Sequence, residues 1–228
     1  MQSLKLNRET AHLAVLQRIE LCNPILKKFR KLFGRYFFTA ILSKYFISPS
    51  KISKNYHKLM TDELFLIEKY LKTNAKVLSI GSGVGGLEIL INQKFNNHIS
   101  LIERNFISKK IKYGWDNKNQ EAYNNLDLLE QFLIKNGVKK EKFNIFDYDN
   151  NNLPQSKFDI IISLYSLDYH YEYNLYKDYL SKVMKPDSIL IFDTIRPEYF
   201  NDIFKKVEVI KKDFDTVHKS KRIVCTNF

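Results

Sequence analysis

The chain has 228 residues, 44% of them apolar and 14% aromatic, and a net charge of +12. That is enough apolar material for the core of one ordinary domain with an extension, and it excludes a globally disordered chain. No apolar run reaches the ~18–20 residues that cross a bilayer, no small-residue cleavage pattern opens the chain, and Cys22 and Cys225 have no metal-ligand spacing. The expectation is therefore a cytoplasmic protein with two free thiols and no metal site.

The charge is uneven: residues 1–60 hold twelve Lys and Arg against two Glu, so most of the excess lies in the amino-terminal part. There the pattern predicts a helix over 8–22, with Asn7 as its cap and Leu13, Leu16 and Ile19 on one side. A second helix is predicted from Pro24, amphipathic over 25–40, with Phe29, Leu32, Phe33 and Tyr36 opposite Lys27, Lys28, Arg30 and Lys31. "SPSKISK" at 48–54 reads as a linker. Residues 1–55 are thus expected to form a basic helical extension, and residues 56–228 the main domain.

In that domain Thr61 is expected to cap a helix running to about Lys72. Strands and helices then alternate. "KVLSIG" is a strand, "LEILINQKF" a helix and "HISLIE" a strand ending in Glu103. "EAYNNLDLLEQFLIKNG" is a helix stopped by Gly137, and "FNIFD" and "FDIIISLY" are strands. "YEYNLYKDYLSKVM" is helical, "SILIFD" a strand and "PEYFNDIFKKV" a helix, and the remainder reads as two strands joined by a polar turn. Strands that are apolar throughout are buried on both faces, which predicts a mostly parallel α/β sheet of seven strands, doubly wound. A closing pair with no helix between its members implies one antiparallel strand at the carboxyl end.

In such a sheet, ligands sit beyond the carboxyl ends of the strands, beside the first one. "VLSIGSGVGG" at 77–86 falls there. Glycine permits a close approach to the backbone, and a carboxylate about 20 residues on, Glu103, can accept from both hydroxyls of a ribose. This pattern predicts a nucleoside-bearing ligand and leaves its identity open. "YNLYK", Tyr173 to Lys177, has the spacing of a nicotinamide dehydrogenase pair, but it follows the glycines too closely and the glycine spacing does not suit it.

From Tyr56 to Phe228 the chain resembles the class I S-adenosylmethionine-dependent methyltransferases, whose fold is Rossmann-like. The resemblance implies that Gly81, Ser82, Gly83 and Gly85 wrap S-adenosylmethionine and that Glu103 in "LIERN" holds its ribose. It further implies that Asp147 and Tyr148 in "NIFDYD" hold the adenine. "LPQSKFDIIIS", ending in Ser163, and "VMKPDSILIFD" match the fourth strand and the approach to the fifth. The family commonly has an acid where this chain has Ser79, so contacts to the methionine end are expected to be rearranged. The stretch at 105–120 is longer than the family minimum and holds Trp115, which reads equally as a lid or as a pinned surface loop.

The acceptor loop should be "SLYSLDYHYEY" after the fourth strand. His170 is the expected general base for an oxygen acceptor, with Asp168 next. The acceptor is expected to be a small molecule, a sugar or a lipid-linked intermediate. A nucleic-acid base is not favoured, because the loop lacks the Pro-Pro-aromatic pattern of base-nitrogen methylation. The basic extension reads as a cap over the pocket, as a peripheral contact with an anionic membrane through residues 25–47, or as a phosphate-binding face. A binding subunit without turnover remains the alternative from another class. The cofactor site itself is expected to be built from the later strands alone, independent of residues 1–50.

Overall fold

The computed structural model describes residues 3–22, 24–25, 28, 41, 43–108, 122–150, 153–212 and 219–227. Most of the amphipathic stretch over 25–40, of the proposed membrane-contact segment 25–47 and of the loop 105–120, with Trp115, lies outside the described residues.

Seven strands form one sheet in the order β3-β2-β1-β4-β5-β7-β6. They are β1 (Lys76–Ile80), β2 (His98–Glu103), β3 (Phe143–Asp147), β4 (Phe158–Ser163), β5 (Met184–Thr194), β6 (Lys206–Lys212) and β7 (Lys221–Thr226). The first five are parallel, and β7 runs antiparallel to both β5 and β6. This is the expected doubly wound, mostly parallel architecture with its antiparallel carboxyl-terminal strand. The chain starts at β1, proceeds outward through β2 and β3, then returns to the other side of β1 with β4, so the switch point lies between the carboxyl ends of β1 and β4.

The helices that pack on the sheet include α1 (Arg8–Gln17), α2 (Pro49–Ile67), α3 (Gly86–Phe95), α4 (Leu126–Lys135) and α5 (Lys177–Val183). One face of the sheet packs on α1 to α4 through Val77, Ile99, Leu101, Ile160 and Ile162. The other, with Leu78, Ile80, Ile161 and Phe192, packs on α5 and the 3-10 turn Pro197–Asp202. Alternate residues of β1 therefore enter different cores, which is why its sequence carries no polar period. Both cysteines are buried and outside any disulfide.

Several expected boundaries move. Asn7 caps α1 as read, its Oδ1 accepting from Thr10 N at 2.8 Å, but the helix ends at Gln17, followed by a 3-10 turn at Ile19–Leu21. The linker expected at 48–54 is the start of α2. Ser48 is its cap and Pro49 its first residue, because a proline at that position has its φ already set and lacks only an N–H that would be unpaired anyway. Thr61, read as a cap, sits inside α2 and donates its hydroxyl to the His57 carbonyl at 2.8 Å. The division at 55/56 thus falls within a continuous helix that buries Ile52, Tyr56, Met60 and Leu64. β5 begins at Met184, before the expected strand "SILIFD", and most of "PEYFNDIFKKV" is a 3-10 turn followed by β6 rather than a helix.

A buried ion cluster ties α2 to the antiparallel end of the sheet. Arg222, fully buried on β7, donates Nε and Nη2 to Asp193 Oδ1 and Oδ2 at 3.1 and 3.0 Å, and Nη1 to Glu63 Oε2. Lys211 Nζ donates to Glu63 Oε1 at 3.3 Å and to the Tyr165 hydroxyl at 3.0 Å. Burial alone would raise the Glu63 carboxyl, but Arg222, with Arg18 and Lys211, overrides it and holds it at about 2. Arg222→Leu should cost about 3–5 kcal/mol, because Asp193 then stays buried without its cation and Glu63 is left with Lys211. Urea unfolding checks this, and a loss below about 1 kcal/mol would show that the cluster is not what joins these elements.

Candidate functional site

The turn from β1 into α3 approaches other backbone and side chains too closely for a Cβ. At Gly81 (φ +73°) a methyl would fall on the Ser166 side chain, so the β1 turn and the loop after β4 touch at the switch point. At Gly83 (φ +63°) it would fall on the amide of Gln17. Gly85 is the left-handed cap of α3.

The N–H groups of this turn are met from three directions. Gly83 N donates to Glu103 Oε1 at 2.5 Å, and the Ser82 hydroxyl joins the same oxygen at 3.2 Å. Val84 N donates to Gln17 Oε1 at 3.1 Å, while Gln17 Nε2 donates to the Tyr123 carbonyl at 2.6 Å. Gly86 N donates to the Tyr56 hydroxyl at 3.1 Å, and Asn124 Nδ2 holds the Gly83 carbonyl at 2.7 Å. The glycine turn is therefore not built from the later strands alone. Gln17, Tyr56 and Asn124 carry no local signal in the sequence: each reaches the turn only through tertiary packing.

Glu103 and Asp147 end β2 and β3 and are direct register partners, so parallel pairing places their backbones about 4.8 Å apart. Burial raises the Glu103 carboxyl to about 7. Asp147 accepts from Asp149 N at 3.1 Å and from Asn150 Nδ2 at 2.9 Å, which folds the chain after β3 back on itself. Tyr148 lies with its ring centroid 5.4 Å from that of Tyr176. The Arg104 guanidinium spans Phe106 and Tyr148 at 4.9 and 5.8 Å and grips both Asp149 oxygens through Nε at 3.1 and 3.0 Å.

Ser163 departs from expectation. It is 1% exposed, and its hydroxyl donates to the Ile80 carbonyl at 2.7 Å and accepts from Leu167 N at 2.9 Å. It braces β4 against β1.

The loop after β4 is tightly wound. The Ser166 carbonyl collects Tyr169 N, His170 N and Tyr171 N at 3.2, 2.8 and 3.1 Å, and Tyr165 and Asp168 are both left-handed at φ 57° and 55°. Tyr165, Tyr169 and His170 form an edge-to-face ladder with centroids 5.4 and 4.8 Å apart. His170 is partly exposed at its end. Tyr165 carries the Arg18 guanidinium over its ring at 4.4 Å and Arg222 at 5.4 Å. Asp168, the second expected base, is corrected. It is fully buried, with Arg196 Nη2 at 2.7 Å on Oδ1 and the Thr194 hydroxyl at 2.5 Å on Oδ2, so it fixes the loop and faces no open site.

Beneath the glycine turn, Ser79 donates to Glu88 Oε1 at 2.6 Å. Burial raises the Glu88 carboxyl to about 7, and its Oε2 is buried without a hydrogen-bond partner. Glu88 had no place among the expected site residues.

Comparison with known proteins bears on this site. A family model described as a methyltransferase domain matches residues 52–217. No curated protein sequence matches the chain. Among solved structures, a candidate O-methyltransferase from Nostoc punctiforme shares the fold with a TM-score of 0.51 at 11% identity, over 77% of this chain and 57% of that one. An RNA methyltransferase from Salinibacter ruber gives 0.47 at 11% identity, over 75% and 90%. A coclaurine N-methyltransferase gives 0.45 at 16% identity, over 66% and 38%. The chain thus spans well under two thirds of the Nostoc and coclaurine proteins.

The raised Glu103 carboxyl links stability to pH. Unfolded, it ionises near 4.5, and folded near 7. The folded state therefore holds the extra proton between these values, and the stability it contributes is full below 4.5 and lost as pH rises through 7. Glu103→Gln keeps an acceptor for Gly83 N and removes the titration, so it should be more stable than the parent at pH 8 by up to about 3 kcal/mol and equal to it near pH 4. Urea unfolding of both proteins across this range checks it, and a constant difference would place the titration elsewhere.

Proposed function

The chain belongs to the methyltransferase-domain family, a class I family of S-adenosylmethionine-dependent transferases, and we propose that it methylates a hydroxyl oxygen of a small-molecule, sugar or lipid-linked acceptor, with His170 taking the proton. One observation carries the acceptor half of this reading: the loop after β4 holds an imidazole at its rim, while Asp168 is consumed by Arg196 and Thr194 and the loop's other carboxylate, Glu172, lies 3.8 Å from the same Arg196.

The residues present fit the cofactor. Gly81, Gly83 and Gly85 hold the positive φ of a tight turn and have no room for side chains against Ser166, Gln17 and Leu129, and two carboxylates sit side by side at the tails of β2 and β3. In this reading Gly81, Ser82, Gly83 and Gly85 line the cofactor, Glu103 accepts from the ribose hydroxyls, Asp147 accepts from the adenine amino group and Tyr148 flanks the ring. The bound cofactor supplies an electrophilic methyl on a sulfonium, so the protein's main task is alignment of donor and acceptor. His170 holds the acceptor oxygen and removes its proton as the new bond forms. Residues 1–55 act as the cap of a catalytic part spanning 56–228, with Gln17 as the contact that reaches the glycine turn.

Two measurements test these assignments. Calorimetry should show S-adenosylmethionine and S-adenosylhomocysteine binding and NAD failing to bind. Glu103→Ala should weaken both adenosyl ligands by about 1.5–3 kcal/mol, the scale of hydrogen bonds to a charged group. NAD binding with neither adenosyl ligand bound would overturn the reading.

Incubation of the protein with methyl-labelled cofactor and a cell extract identifies the acceptor. With that acceptor, His170→Ala should lower turnover by about 10²–10⁴-fold at unchanged cofactor affinity. Parent turnover should rise with pH where imidazole bases lose their proton, roughly 6–7. Full turnover and an unaltered profile in the variant would place the base elsewhere.

A further inference from the structure

Ser79 stands where the resembling family commonly carries an acid, and the structure shows what occupies that place instead. The Ser79 side chain projects from β1 toward α1, α2 and α3, and its hydroxyl donates to Glu88 Oε1 at 2.6 Å. A carboxyl has thus been moved by one hydrogen-bond length, from the strand to the first turn of α3.

The surroundings of this carboxyl are unusual. Glu88 is 3% exposed, and Oε2 is buried with no partner. An acid in the first helical turn is favoured by the helix dipole, which explains why a glutamate is tolerated at position 88 but not why it faces inward with an oxygen unmatched. Buried polar atoms left unpaired carry a desolvation cost, and native structures keep few of them. The neighbours do not supply the missing donor. The Tyr56 hydroxyl is engaged with Gly86 N, and Arg18 lies over the Tyr165 ring with Nη1 3.4 Å from Glu20. An unmatched acceptor on the carboxyl held by Ser79, two residues before Gly81, calls for a cationic donor that arrives with a ligand.

We propose that Glu88 is the residue that receives the ammonium group at the amino-acid end of the cofactor, in place of the acid that β1 lacks. The proposal rests on the S-adenosylmethionine reading above and adds to it the group that recognises the amino acid. Ser79 is the positioning residue: it fixes one carboxyl oxygen so that the other is presented to the ammonium. A protein built this way discriminates the whole amino-acid-bearing cofactor from its nucleoside fragment, because only the former brings the missing donor.

The test is calorimetry with two ligands, S-adenosylhomocysteine and 5′-methylthioadenosine, which keeps the nucleoside and thioether but lacks the amino acid. Glu88→Gln, which preserves shape and the Ser79 contact, should weaken S-adenosylhomocysteine about 10- to 100-fold and leave methylthioadenosine within about twofold. The swap variant Ser79→Asp with Glu88→Gln should recover most of the lost affinity, since it returns the carboxylate to the strand. Melting curves of each protein establish folding, and should the single variant not fold, the swap carries the test alone. Undiminished S-adenosylhomocysteine binding in Glu88→Gln overturns the proposal and leaves the cofactor reading standing. Equal loss of both ligands also overturns it, by assigning Glu88 to the support of the turn. Failure of the parent protein to bind either ligand overturns the cofactor reading itself, and the proposal with it.

Discussion

The turn into α3 and the first residue of that helix hold N–H groups that no helical bond satisfies, and the meeting of that demand organises this molecule. Gly83, Val84 and Gly86 give their N–H groups to Glu103 of β2, Gln17 of α1 and Tyr56 of α2. Each unmade bond in a buried position would cost about 1–3 kcal/mol, so the turn is stable only with all three elements in place. This makes the amino-terminal part a structural partner of the glycine turn. Its helices pack into the same core as the sheet, through Leu13, Val15, Ile52 and Leu64.

A second anchor sits across the sheet. Arg222, inserted by the antiparallel strand, neutralises Asp193 at the end of β5 and Glu63 on α2 at once. Asp193 also accepts from the backbone N–H of Tyr165, at 3.0 Å. The antiparallel strand therefore does more than close an edge. It sets the position of α2, which carries Tyr56 to the glycine turn, and through Asp193 it sets the first residue of the left-handed turn after β4. The two anchors share α2, so the groups expected to bind donor and acceptor are mechanically joined by one helix.

The sheet was legible because its evidence is local: runs such as "KVLSIG" and "FDIIIS" are apolar on both faces, and Glu103 and Asp147 end their strands in sequence as they do in space. Pro49 misled, because a proline signals both a break and a helix start, and only the Ser48 cap and the buried face of α2 separate the two. Asp168 and Ser163 misled for another reason. A polar residue at a strand end is equally suited to hold a ligand or to hold the fold, and the choice depends on Arg196, Thr194 and the Ile80 carbonyl, all distant in sequence. Gln17 and Glu88 were invisible by the same logic, since nothing beside them in the chain marks the groups they reach.

The loop after β4 combines these effects. Two residues with side chains, Tyr165 and Asp168, adopt left-handed backbone there, at a cost of roughly 1–3 kcal/mol each. Such conformations persist only when their surroundings over-determine them. Here Asp193 holds Tyr165 N, the Ser166 carbonyl gathers three N–H groups, and Arg196 and Thr194 lock the Asp168 carboxylate. Asp193, Thr194 and Arg196 all come from the tail of β5, so the neighbouring strand imposes the shape of the loop before any acceptor arrives. For methyl transfer from a sulfonium, where alignment does most of what a protein can contribute, a loop held rigid in advance is the arrangement that the chemistry favours.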